Sequence, residues 1–550
     1  MGEIMVLIYA WVLFVTLWVS KGPMFAFTTV HALQSAFFGL IVSVIAIFYG
    51  FSLPISLMPF FAFEFIVFLF SKRDSWFEGY ERCMGYMFRS SMILFSALVL
   101  AVGHEQAAIP IVIAGIFEGL YVFYQKLVDS GKIKHTFHYN HKLGRFVGTL
   151  GNPNMASEFL LVTLIIALWI SQIWPVFFWS VPFIFLGLVF TAGRATLLGS
   201  VVGSIFLGFY YPISFAVSLP ILLVLTYLLR KRLKIDKNRL LFWKVFMREK
   251  IKHPFRIEGM GIDHYAQKLS DTELKRRMIF HPLDRSHNWF VDLFIEGGIF
   301  YVGFFVFANV AALIYLPPIL KCALLVLLVC EFFSFPFQPN YLLWVFLVSV
   351  PSALPMPLWL LIPFLAYGFY VGFRAYLAGK KITSPSKSFL DSYHNMRSAL
   401  DWSPIATPYY ANFVLSNLKP LGTLGKHETN RIDSYPHKEW ETHKCKAECA
   451  FILKDFELAK EETEKGLKVA PGNPFLRRMK ALLTGKKEPY VQTLSTLIEE
   501  FENCSGKSMS FETPIWLDLV ANVSEKEQEE FRKKYYSRFG RELKGYAKKT

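Results

Sequence analysis

Apolar runs of about 17 to 25 residues, the length that crosses a hydrocarbon core, recur from Met5 to about Phe373. No other feature restricts the fold of this chain as strongly. Each run reads as a membrane-spanning helix, and the first lacks a basic leader and a small-residue cleavage site, so it is expected to stay in place rather than be removed as a signal peptide. With 54% hydrophobic and only 18% charged residues, the expected fold is all-α, a polytopic transmembrane helix bundle.

Twelve or thirteen spans are expected, starting near residues 5, 29, 52, 88, 107, 156, 174, 194, 212, 289, 318, 339 and 355. Two polar loops interrupt them, residues 127–155 and 231–288, and four spans separate the loops, which puts both on one side. By the same parity Lys21, the loop "SKRDSWFEGYER" at 71–82, Arg194 and everything after Arg374 share that side. The positive-inside rule alone assigns such a basic face to the cytoplasm. Basic residues gathered on one face also suit an anionic substrate, so function must arbitrate.

The domain boundary is expected at 375/376, where continuous apolarity ends. Residues 376–550 read as a separate soluble helical domain. Within it "AECAFILKDFELAKEETEKGLKVAPGNP" (447–474) sets Ala447, Phe451, Phe456, Ala459 and Leu467 on helical spacing and ends in a Pro-Gly-Asn-Pro turn. That pattern looks like a tetratricopeptide helix pair, and "RSALDWSPIATPYY" (397–410) repeats the helix-then-proline order. An amphipathic bundle without repeats is the alternative.

Six cysteines show no CxxC or Cys/His ligand spacing, so neither a metal nor another cofactor is expected. Cys322 and Cys330 lie in an apolar run and read as small hydrophobes. Cys445 and Cys449 stand one helical turn apart, a poor geometry for a disulfide.

Chemistry is expected where polar groups meet the membrane. In "FVGTLGNPNMASEFLL" (146–161) Pro153 fixes one backbone dihedral and Gly151 frees another, holding Asn152 and Asn154 at the mouth of a span. A purely structural turn fits equally well. Arg194 in "FTAGRATLLGS" reads either as a site residue or as a snorkelling interfacial arginine. Arg239 in "NRLLFWK" reads as a site residue or as one basic group on a solvated helix, and His287 in "DRSHNWFVDLFIEGGIF" as a site residue or a capping neighbour. Glu64, Glu118 and Glu158 lie in or near spans, where an ionisable group costs a few kcal/mol and so implies a cavity or a partner.

In combination these stretches resemble the O-antigen ligase and polymerase superfamily of polytopic glycosyltransferases. The matching residues are the turn from Gly148 to Asn154, the Gly193-Arg194 pair, and "RLLFWKVFMREKIKHPFRIEGMGIDHY" with Arg239, Trp243, Pro254, Gly259 and Gly261. Ser286-His287-Asn288 followed by Glu296-Gly297 completes the set. Detailed resemblance covers roughly residues 90–310, and the long loop between the ninth and tenth spans matches the family's topology. The loop around Gly259 is more charged than is usual there.

The resemblance implies transfer of a glycan from an undecaprenyl-diphosphate carrier to an acceptor hydroxyl at the outer face of the inner (cytoplasmic) membrane, with the basic face and the tail extracytoplasmic. Arg194 and Arg239 are then the expected diphosphate ligands, because guanidinium groups grip phosphate oxygens bidentately and keep their charge. His287 is the expected general base, since histidine ordinarily titrates at about pH 6.5. Arg145, Asn152, Asn154, Asn288 and Asp284 are expected to touch substrate or orient the base. The expected acceptor is a lipid A–core or similar lipid, with another glycan repeat or a protein as alternatives; a protein partner is expected at the tail, and no nucleic acid. A transporter of lipid-linked glycan is the non-enzyme alternative.

Overall fold

The computed structural model describes residues 2–17, 25–49, 51–70, 80–130, 146, 148–150, 153–191, 193–211, 237–259, 286, 288–334, 338–350, 353–355, 361–382, 384, 388–403, 406, 410–411, 413–414, 428, 440–469 and 474–485. The chain divides into two compact units. One comprises Met1–Lys234, His253–Met260 and His287–Gly379, the other Ile235–Lys252, Gly261–Ser286 and Lys380–Thr550.

The described part of the first unit is mainly helical, with one two-stranded ribbon. Its helices are α1 (Gly2–Leu17), α2 (Phe25–Tyr49), α3 (Met58–Phe70), α4 (Tyr80–Val102), α5 (His104–Asp129), α6 (Pro153–Ile173), α7 (Ser180–Thr191) and α8 (Arg194–Tyr210). After the helix α9 (Lys237–Ile251), which belongs to the other unit, come α10 (Trp289–Tyr315), α11 (Pro318–Phe332), α12 (Gln338–Val348) and α13 (Ile362–Ile382). Three of them, α5, α6 and α10, are long and apolar enough to cross a membrane. Shorter apolar helical stretches of 10–17 residues accompany them.

Local sequence explains where these helices start and stop. Pro153 and Pro318 open α6 and α11, where a missing N–H costs nothing. The Asn288 side chain caps α10 by accepting the Val291 amide at 3.1 Å. α4 and α5 are separated only by Gly103, at φ +83°. An aromatic core then ties α3, α10 and α12 together: Trp289 packs edge-on against Phe305 and Trp344, while Phe60 packs edge-on against Trp344 and stacks on Tyr301. Outward faces carry large apolar side chains such as Phe48 (78% exposed) and Phe209 (81% exposed), which suit hydrocarbon rather than water.

Three expected span starts shift. The run expected from residue 52 begins as a strand, β1 (Ser52–Pro54), and turns helical only at Met58. The run expected from 355 ends a second strand, β2 (Ala353–Pro355), and its helix opens at Ile362. These strands pair antiparallel, Ser52 with Pro355, Leu53 with Leu354 and Pro54 with Ala353. A proline stands at the end of each strand, where a missing donor is tolerated, and pairing satisfies backbone that an apolar setting would otherwise leave unbonded. The run expected from 174 starts as a 3-10 helix, Pro175–Trp179, because Pro175 interrupts the ladder. The span expected from 212 lies outside the described residues. Residue 376, the expected boundary, falls inside α13, and the two units separate after Gly379.

In the second unit the described tail helices are α14 (Phe389–Trp402), α15 (Trp440–Ile452), α16 (Phe456–Val469) and α17 (Pro474–Thr484). Ser388 caps α14 through the Asp391 amide. α15 and α16 form a hairpin whose turn places Lys454 at φ +62°, and α17 packs on α16. Tyr393, Leu400, Tyr410, Ala411, Val414, Cys445 and Cys449 form a core in this unit, with both cysteines free and buried.

Candidate functional site

The elbow that precedes α6 is held from beneath by a carboxylate. Glu118 of α5 accepts the Thr149 amide at 3.1 and 3.0 Å, and the Thr149 hydroxyl is shared between Glu118 and the Thr16 carbonyl. Gln125, two turns along α5, clamps Gly148 from both sides, accepting its N–H at 3.0 Å and donating to its carbonyl at 3.3 Å. Gly148 stands at φ +61°, and a Cβ there would meet a Glu118 oxygen at 1.7 Å. The buried Glu118 flagged by its place in an apolar run therefore has a role: it anchors the turn.

This elbow is also joined to the Gly193-Arg194 stretch. The Ser157 hydroxyl donates to the Asn154 carbonyl at 2.7 Å and lies 2.7 Å from the Thr196 hydroxyl. A Cβ on Gly193 would fall 2.1 Å from the Ser157 oxygen, so only glycine allows this approach. Arg194 is the first residue of α8 and Arg239 lies in α9, but both side chains lie outside the described residues. Arg145, Asn152, Asp284 and His287 lie outside them entirely.

The third and fourth motif stretches meet as well. The Glu258 and Gly259 amides both donate to the Glu296 carbonyl, at 3.0 and 3.2 Å, and the Ile299 amide donates to the Pro254 carbonyl at 2.9 Å. In the other unit, the Trp243 indole donates to the Ser286 carbonyl at 2.8 Å, so the long-loop helix α9 contacts the residue that directly precedes His287. Asn288, expected to orient that histidine, is buried and its side-chain oxygen is committed to capping α10.

One turn beyond the elbow, buried polar groups from separate helices converge. Asn340, near the start of α12, donates to Glu158 of α6 at 3.2 Å and to Glu331, near the end of α11, at 3.3 Å. Asp292, in the first turn of α10, is buried as well. A second network joins Arg89 of α4 to Glu64 of α3 at 3.3 Å and to Glu296 at 3.8 Å, with the Tyr301 hydroxyl donating to Glu64 at 2.9 Å. The apolar-run signal that flagged Glu64, Glu118 and Glu158 applies equally to Arg89 and Glu331, whereas Asp292 and Asn340 sit in first turns and carry no such signal.

Chemically, these groups are buried oxygen acceptors, together with one buried guanidinium. Oxygen acceptors suit ligands rich in hydroxyl donors. No family model matches the chain, and no curated protein matches it at a significant level.

Proposed function

We propose that the chain is a polytopic membrane glycosyltransferase of the O-antigen ligase type. In this reading it moves a glycan from undecaprenyl diphosphate to an acceptor hydroxyl at the outer face of the inner membrane, without a metal. The observation that carries the reading is the pairing of motif stretches far apart in sequence: the elbow with Gly193 through Ser157, and Pro254–Gly259 with Glu296–Ile299. Arg194 and Arg239 then hold the diphosphate, and His287 takes the acceptor proton. Arg145, Asn152, Asn154, Asn288 and Asp284 contact substrate or orient the base, and the helical tail, tetratricopeptide-like, meets the acceptor or a protein partner.

The test is carrier release by the purified full-length protein supplied with undecaprenyl-diphosphate-linked glycan and, in separate arms, a lipid A–core, a free repeat unit or a protein acceptor. Carrier diphosphate is expected only in the arm holding the true acceptor. His287→Ala should lower turnover by about 100-fold or more while donor binding persists, because a general base contributes at least that much. Turnover of the unaltered protein should fall as pH drops through the histidine's ordinary range near about 6.5, because only the neutral imidazole accepts a proton. Arg194→Lys and Arg239→Lys should each weaken donor use, since lysine keeps the charge and loses the planar fork. Movement of the lipid without carrier release in any arm would mean a transporter.

A further inference from the structure

Residues 253–259 form a described stretch of the long loop that groups with the first unit; residues 235–252 before it and 261–286 after it group with the second. Its attachment is specific. Two amides of the stretch end on the Glu296 carbonyl, its Pro254 carbonyl takes the Ile299 amide, and Phe255 packs on Phe300 with ring centroids 5.6 Å apart. Three backbone hydrogen bonds across a helix are available only because α10 is broken at Gly298, at φ 72° and ψ −160°, a region that any residue with a Cβ strongly disfavours. A Cβ on Gly298 would stand 2.4 Å from the Pro254 carbonyl oxygen.

The break is itself held by buried charge. Glu296 faces two ways: its main-chain carbonyl receives the loop, and its carboxylate lies 3.8 Å from Arg89. Arg89 is in turn fixed by Glu64, which also accepts the Tyr301 hydroxyl. Gly297 is wedged against Val67 and Tyr301, where a Cβ would meet atoms at 2.8 and 2.7 Å, so the residues around Glu296 have little room to shift. We infer that Arg89, Glu296 and the Gly298 break form a socket for residues 254–259, with Arg89 as a positioning residue that sets where the long loop is tied to the helix bundle. This holds whatever reaction the protein performs, and so extends beyond the transferase reading.

Hydrogen–deuterium exchange of the full chain in nanodiscs, read by mass spectrometry on peptides covering 253–259, tests it. In the unaltered protein the Glu258 and Gly259 amides should be protected. Gly298→Ala, which removes no charge, and Arg89→Gln should each speed their exchange about tenfold, with peptides from α6 unchanged. Glu64→Gln should leave the stretch protected, because the glutamine carbonyl can still accept from Arg89 and Tyr301 and so keeps Arg89 facing Glu296. Unchanged exchange at 253–259 in Gly298→Ala overturns the socket. Faster exchange throughout the bundle in Arg89→Gln, or the same release in Glu64→Gln as in Arg89→Gln, overturns the positioning role of Arg89.

Discussion

Gly148 shows how much one residue's backbone can decide. At φ +61° it lets the chain turn so that the Thr149 amide reaches Glu118, and any side chain there would displace the same carboxylate. Gly148→Ala should therefore cost about 1–3 kcal/mol, the range for a residue forced into a strained backbone region, and should lower the melting temperature of the protein in detergent. Gly303→Ala is the control, since a Cβ there meets nothing within 4 Å; equal melting of the two variants would refute the account of the elbow. The sequence pointed to this turn through its Gly, Pro and Asn residues. It did not point to Glu118 as the anchor, because the two lie 31 positions apart and nothing in local spacing pairs them.

At the scale of elements, close helix packing and buried ion pairs are the main devices. α8 lies against α11 through Gly203, whose carbonyl accepts the Cys322 thiol at 3.5 Å and whose missing side chain leaves room for Val326; small residues of this kind let apolar helices approach. In the tail hairpin α15 and α16 are joined by Glu462, which is bonded by His443 and Lys465 at 2.8 Å each and faces Lys446 at 3.5 Å. Burial alone would raise this carboxyl, but the hydrogen bonds from His443 and Lys465 and the charge of Lys446 outweigh it and lower it from 4.5 to about 2. A carboxyl lowered on folding contributes stability that is present above its unfolded value and lost as pH falls toward its folded one. Helical signal from the intact protein should thus begin to soften as pH drops from about 4.5 toward about 2, and Glu462→Gln should flatten that slope. A variant that retains the full acid sensitivity would assign it to other groups.

At the scale of the whole molecule, a count of thirteen spans puts the long loop and residue 550 on one side as an expectation, and reporters fused at each test it by giving the same orientation. Opposite signals would mean that one of the expected runs does not cross. Helical class and the presence of helices long enough for a bilayer were legible in the sequence alone, because apolar length is a local property that hydrocarbon enforces residue by residue. The starts of α6 at Pro153 and of α11 at Pro318 fell at or near expected span starts for the same reason, whereas Asn288, expected to orient His287, caps α10. Tertiary structure decided the rest: the ribbon that pairs Ser52–Pro54 with Ala353–Pro355, the bridging of Glu158 and Glu331 by Asn340, and the grip of Arg89 on Glu64 and Glu296. Each joins residues remote in the chain, and such partners are selected by the cost of burying backbone or charge without one, a cost that exists only once the helices have packed.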